Sequence, residues 1–237
     1  MSTFTCGDCG FDGARWSLSD LERTVAHTDD LIGHVLDGAE PAVIGRAAPA
    51  PVRHDDDLVA SAHAVMHRLD ELAAVRRGTE VFEPMTGTVE SLQASGGGVP
   101  KSTIAVAEIG PGGVSVDVQG NRKNHGRPWQ AICLYSSDLL DALRSEGHPI
   151  DAGSAGENIT ISGVDWARLR GGLTITIGEV RLRTSSPAAP CHKIGDFFVD
   201  RHWNRIDHTE RPGWARWYAS VLAGGTVRPG DSVTIAM

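Results

Sequence analysis

The residues able to do chemistry in this 237-residue chain gather in a few short stretches. The most informative is Ser185-Ser-Pro-Ala-Ala-Pro-Cys-His-Lys-Ile194, which follows a strand-like segment. Pro187 and Pro190 fix the backbone on either side of a short run. Cys191 therefore stands in a constrained loop, flanked by His192 and Lys193. Nearby cations favour thiolate over thiol, and the thiolate is the form that attacks sulfur or binds a soft metal. Cys191 is the expected working group. Cys133, inside the apolar run Ala131-Ile-Cys-Leu-Tyr135, reads as buried filler.

Two further stretches suit ligand binding. Asn121-Arg-Lys-Asn-His-Gly-Arg-Pro-Trp-Gln-Ala131 packs Arg122, Lys123 and Arg127 beside Asn124 and His125. Clustered cations with free backbone amides suit a phosphate or carboxylate. The same composition also suits a solvated basic loop. Gly153-Ser-Ala-Gly-Glu-Asn-Ile-Thr-Ile161 delivers Glu157 and Asn158 to the start of a strand. That pair can orient a ligand or satisfy the groups of its own turn. At the front, Cys6 and Cys9 form one Cys-x-x-Cys pair, and His63 and His67 lie one helical turn apart. Zinc suits such ligands, although one pair is half of a tetrahedral site. Exposed helix histidines without metal are the competing reading.

The elements that must position these residues divide the chain at about residue 80. Apolar spacing predicts one helix over 17–36 and a second over 55–77, the latter with Asp55, Asp56 and Asp57 in its first turn. Two helices cannot enclose a core alone, so residues 1–80 must pack on the remainder or on another chain. From residue 81 on, short alternating segments dominate: 87–92, 102–109, 114–118, 173–177, 180–184 and 232–236. Gly178-Glu179 reads as a hairpin turn. Short helices are expected at 136–146 and at 211–222, the latter carrying Trp214, Trp217 and Tyr218. The expected class is mainly β (α+β): a closed or partly closed barrel with a few peripheral helices, preceded by a two-helix segment.

The net charge of −8 argues against non-specific nucleic-acid binding, which draws on a basic surface. No apolar run approaches the roughly 20 residues of a membrane span. The opening residues have no basic or apolar leader, so the cytoplasm is the expected compartment. Four cysteines at uneven spacing give no disulfide framework.

Together the motifs from about 87 to 235 resemble the MOSC domain, named for the C-terminal domain of molybdenum cofactor sulfurases, in its stand-alone bacterial form. The resemblance is carried, in order, by Val99-Pro-Lys101 with Gly113-Val-Ser-Val-Asp117, Asn124-His-Gly126 with Ala131–Tyr135, Gly156-Glu-Asn-Ile-Thr160, and Pro187-Ala-Ala-Pro-Cys-His-Lys193. Arg211-Pro-Gly213, the run 218–222 and Gly225-Thr-Val-Arg-Pro-Gly-Asp231 also fit. Arg127 departs from the family, which often has glycine there. The resemblance implies a β-barrel and a Cys, here Cys191, that ligates molybdenum in a molybdopterin cofactor or carries persulfide sulfur. It implies reduction of N-hydroxylated substrates or sulfur transfer. Partners would be a small-molecule substrate or a separate sulfur-donor protein, with no nucleic acid and no membrane. Asn124, His125, Glu157 and Asn158 match positions expected to line the pocket. Arg122, Lys123 and Arg127 would hold the cofactor phosphate, with His192 and Lys193 beside the sulfur. The front segment resembles the opening of DinB-like metal-binding helical bundles, truncated. The alternative reading is a non-catalytic anion- or pterin-binding module, whose helical front recruits a partner or forms a homodimer.

Overall fold

The computed structural model describes residues 82–118 and 128–237. The two helices expected before residue 80, the boundary there, and the basic loop centred on Lys123 lie outside the described residues. The described strands are β1 (Met85–Ala94), β2 (Ser102–Ile104), β3 (Ala107–Gly110), β4 (Gly113–Val114), β5 (Ile132–Ser136), β6 (Ile159–Ser162), β7 (Thr174–Ile177), β8 (Val180–Ala188), β9 (Arg216–Ala223), β10 (Gly225–Val227) and β11 (Ser232–Ala236). Among the described residues one α-helix, α1 (Ser137–Ser145), joins β5 toward β6.

Seven strands close into a barrel in the order β1, β6, β5, β9, β8, β7, β11, with β11 pairing back onto β1. Closure leaves the long strands without a free edge. β2 extends β1 outward, and β3, β4 and β10 form a small separate sheet. Only β5 and β6 run parallel. A parallel pair needs a crossover, and α1 supplies it. Ser136 caps that helix, its hydroxyl accepting from Leu139 N at 3.3 Å, while Leu140 and Leu143 turn into the core. The turn between β7 and β8 has the two-residue length expected, with Ile177 opposite Val180. Gly178 takes φ +57° there, a value open to glycine at little cost.

The core fills from the inward positions of these strands. Leu92, Ile132, Leu134, Ile159, Ile175, Leu182, Ala219 and Ile235 are all fully buried in one cluster. Leu134 sits on β5 between β6 and β9, where collapse around a void is restricted. Leu134→Ala is expected to cost about 3 kcal/mol in a denaturant melt, within the range for such truncations.

Three expectations are corrected. The stretch 211–222 is not a helix: from Arg216 it is strand β9. Its first six residues are buried on both faces, which erases the alternation that would reveal a strand. The stretch 102–109 is two strands, β2 and β3, interrupted at Ala105 and Val106. The stretch 114–118 pairs only at its start, because Asp117 N bonds back to Val114 O at 3.0 Å and turns the chain. Among the described residues no helix is long and apolar enough to cross a membrane.

Candidate functional site

Alternation along β5 and β9 gives the barrel wall two chemically different faces. Ile132, Leu134, Trp217 and Ala219 belong to the main core. Cys133 and Tyr218, which face each other across the strand pair, join Ala188 in a separate buried cluster. By strand geometry this cluster lies on the face turned away from the core. A pocket sits on that outer face. Its floor includes Cys133, Arg216 and Tyr218, and its sides come from loops carrying Val99, Lys101, Asn158, Cys191, Lys193 and Ile194. The core cluster fills the barrel interior, and this pocket lies outside its wall.

The Cys191 loop leaves the end of β8 and runs straight into a 3-10 turn over His192–Phe197. Cys191 itself is extended, at φ −140° and ψ 166°, and half-buried on the pocket lining. Cys133 shares the lining and is 5% exposed. Burial pushes the Cys133 thiol up, against a smaller opposing pull from the charges of Arg216 and Lys101. A buried protonated thiol is a poor nucleophile. Iodoacetamide is therefore expected to modify Cys191 at least tenfold faster than Cys133 in the folded chain, read by peptide mass spectrometry. Equal rates would contradict this division of roles.

A polar frame holds the pocket walls. Asp117 accepts from Ser95 N at 2.8 Å, from Lys101 Nζ at 2.6 Å and from Asn158 Nδ2 at 2.9 Å. Both members of the Lys101–Asp117 pair are buried, at 9% and 2% side-chain exposure. Asn158 straps β5 as well: its Oδ1 accepts from Cys133 N at 3.1 Å and its backbone N donates to Cys133 O at 2.7 Å. Glu157 lies fully buried beneath the loop and accepts from Gly153 N at 2.6 Å. Its other oxygen has no partner among the described residues. Burial pushes the Glu157 carboxyl up, toward the neutral form, against a pull from the Gly153 N–H.

Arg216 is the pocket's most unusual residue. It is 6% exposed, donating to Ala155 O and, at 3.1 Å, to Ala189 O. Two loops, one carrying Gly156–Asn158 and one carrying Cys191, are thus tied to a single guanidinium. Its Nε has no partner among the described residues.

Of the sequence-predicted residues, the fold brings Cys191, Asn158 and Lys193 to the pocket lining. Glu157 serves the frame behind it. His192 is exposed and does not line the pocket. Arg122, Lys123, Asn124, His125 and Arg127 lie outside the described residues, as do Cys6, Cys9, His63 and His67. Sequence reasoning missed Arg216, and the only available signal was one charge inside an aromatic run. It also missed Cys133 as a wall residue. Among the described residues no three His, Cys, Asp or Glu side chains form a metal-holding group.

Residues 121–234 match the family model of the MOSC domain. The Bacillus subtilis (strain 168) "Uncharacterized protein YflK" is 26% identical over 120 residues, covering 50% of this chain and 53% of that protein. "Protein YiiM" of Escherichia coli (strain K12) is 27% identical over 120 residues, covering 48% and 52%. The alignments thus span about half the length of these curated relatives. The solved YUAD protein of Bacillus subtilis shares the fold, with TM-score 0.54 at 18% identity, over 65% of this chain and 98% of that one.

Proposed function

This chain carries a MOSC domain, and from that premise we propose that it is an enzyme using Cys191 as thiolate ligand to a molybdenum–pterin cofactor, acting on small N-hydroxylated substrates. One observation carries the reading: a half-buried cysteine shares a pocket with the cations of Arg216, Lys101 and Lys193. The donor set fits the cofactor. A soft metal wants a thiolate, and an anionic, phosphate-bearing pterin wants guanidinium and ammonium groups. Arg216 Nε, a buried donor without a partner among the described residues, is open to an anion in this pocket.

Cys191 would hold the metal, and Lys193 and the expected basic residues Arg122, Lys123 and Arg127 would hold the phosphate. Asn124, His125 and Asn158 would shape the pocket around the pterin. The bound cofactor supplies two-electron redox chemistry that side chains lack. The chain's own contribution is orientation. Asp117 fixes Lys101 and Asn158 together, and Asn158 in turn fixes the backbone of Cys133. Tyr218, Val99 and Ile194 give the pocket its apolar wall.

The partial exposure of Cys191 favours one other reading, persulfide carriage. The Cys191 thiolate would attack the outer sulfur of a donor persulfide, the donor thiolate would leave, and Cys191 would retain the sulfur. A small-molecule acceptor or a separate donor protein would be the partner, the cytoplasm the compartment, and the helical front a candidate homodimer or zinc-binding element.

The test is elemental and cofactor analysis of the full chain made in a host that synthesises the molybdenum cofactor. Stoichiometric molybdenum with pterin, lost in Cys191→Ser, supports the enzyme reading. Persulfide on Cys191 without molybdenum supports transfer. Neither, with tight anion binding, leaves a non-catalytic binding module.

A further inference from the structure

We infer that Arg216 is an oxyanion-recognition residue that selects which small molecules reach the Cys191 sulfur, favouring those with a carboxylate, sulfonate or phosphate-type group. The inference rests on the reading that Cys191 is the reachable thiol, and it adds the class of ligand.

A guanidinium taken out of water without a counter-ion is expensive, and carbonyl dipoles compensate it only in part. Arg216 is 6% exposed and bonded to two carbonyls, Ala155 O and Ala189 O. Among the described residues it forms no ion pair. Lys101, on the same lining, is neutralised by Asp117 at 2.6 Å. Glu157, the buried acid of the adjoining loop, spends one oxygen on Gly153 N rather than on Arg216. Glu157 and Arg216 attract each other through space without a hydrogen bond, and burial pushes the Glu157 carboxyl up.

Position supplies the second half. Ala189 precedes Cys191 by two residues, so Arg216 grips the very loop that presents the sulfur. Among the described residues Arg216 Nε is a buried donor without a partner, and Gln130 Oε1, on the same lining, is a buried acceptor without one. A fixed fork with an unused N–H matches an oxyanion with a spare lone pair. Its charge in a partly desolvated pocket discriminates by sign more than a solvated lysine would. Lys193 is exposed and serves as the contrast.

The experiment uses two alkylating agents of similar size, iodoacetate and iodoacetamide, on the full chain. Modification of Cys191 is followed by peptide mass spectrometry. The ratio of the anionic to the neutral rate is normalised to the same chain unfolded in urea. The expected ratio is at least tenfold above the unfolded value, and inorganic sulfate suppresses it. Arg216→Gln brings it to the unfolded value, Arg216→Lys retains part of it, and Arg228→Gln, at an exposed cation that does not line the pocket, changes it less than threefold. If Arg216→Gln has no cooperative melt, the wild-type ratio and its suppression by sulfate decide. A wild-type ratio equal to the unfolded one, with Cys191 reacting freely, overturns the oxyanion role and leaves the thiol reading standing. A ratio that falls in Lys193→Gln but not in Arg216→Gln also overturns it. Failure of Cys191 to react with either agent sinks the thiol reading and this inference together.

Discussion

Cys191→Ser is expected to abolish turnover, by on the order of 10³-fold or more, while leaving the melting temperature within about 2 °C of the parent. The side chain is only half-buried, and its neighbours are loop residues rather than the main core. Serine keeps the size and loses the soft sulfur, so metal ligation and persulfide formation both fail. The check pairs a turnover assay with a thermal melt. Full turnover in a folded Cys191→Ser chain would remove the proposed mechanism. A collapsed melt would mean the residue serves packing instead. Cys133→Ser is the internal control. Its thiol is 5% exposed in the cluster with Ala188 and Tyr218, so a hydroxyl there is expected to cost stability of about 1–2 kcal/mol.

Gly153→Ala should produce a large loss of stability for a single added methyl. Gly153 has φ +90°, and a methyl group built there would meet Lys101 O at 2.2 Å. That neighbour is backbone and cannot rotate away. The left-handed conformation and the forced displacement together are expected to cost about 3 kcal/mol or more, or roughly 10 °C in melting temperature for a domain of this size. Function should suffer too. Lys101 N donates to Gly153 O at 2.9 Å, so moving one strand of the loop drags the lysine from Asp117. Gly178→Ala is the comparison: φ is +57°, but nothing lies within 4 Å of an added methyl. Its cost is expected to stay near 1 kcal/mol. Equal melts for the two variants would refute the steric argument.

Much of this arrangement was legible in the residues, for physical reasons. The β7–β8 hairpin was visible because both strands alternate and glycine marks the turn between them. Helix α1 was visible through its Leu140 and Leu143 stripe and its serine cap. Cys191 stood out because prolines and cations surround it. β9 was hidden because Trp217, Tyr218 and Ala219 are all buried, and Trp214, Trp217 and Tyr218 happen to fall at helical spacing. The end of β4 was hidden because Asp117 has a tertiary task that no local propensity announces. Arg216 was hidden for a related reason. A buried arginine is recognised by what it bonds, and Ala155 O and Ala189 O are distant along the chain. Cys133 was correctly read as buried. Its second role, as part of a wall with a cavity in front, depends on loops that only the closed barrel brings together.

The seam of that barrel has a consequence for biosynthesis. β1 meets β11 in the register Met85 opposite Ile235, while β11 also pairs with β7. A nascent chain that has emerged only through residue 231 thus carries two raw sheet edges, on β1 and on β7. Such edges recruit strands from other molecules, and pairing across so long a loop is slow. The interval before the last strand docks is when a holdase would be most useful to this protein, and when crowding on a polysome would do it most harm.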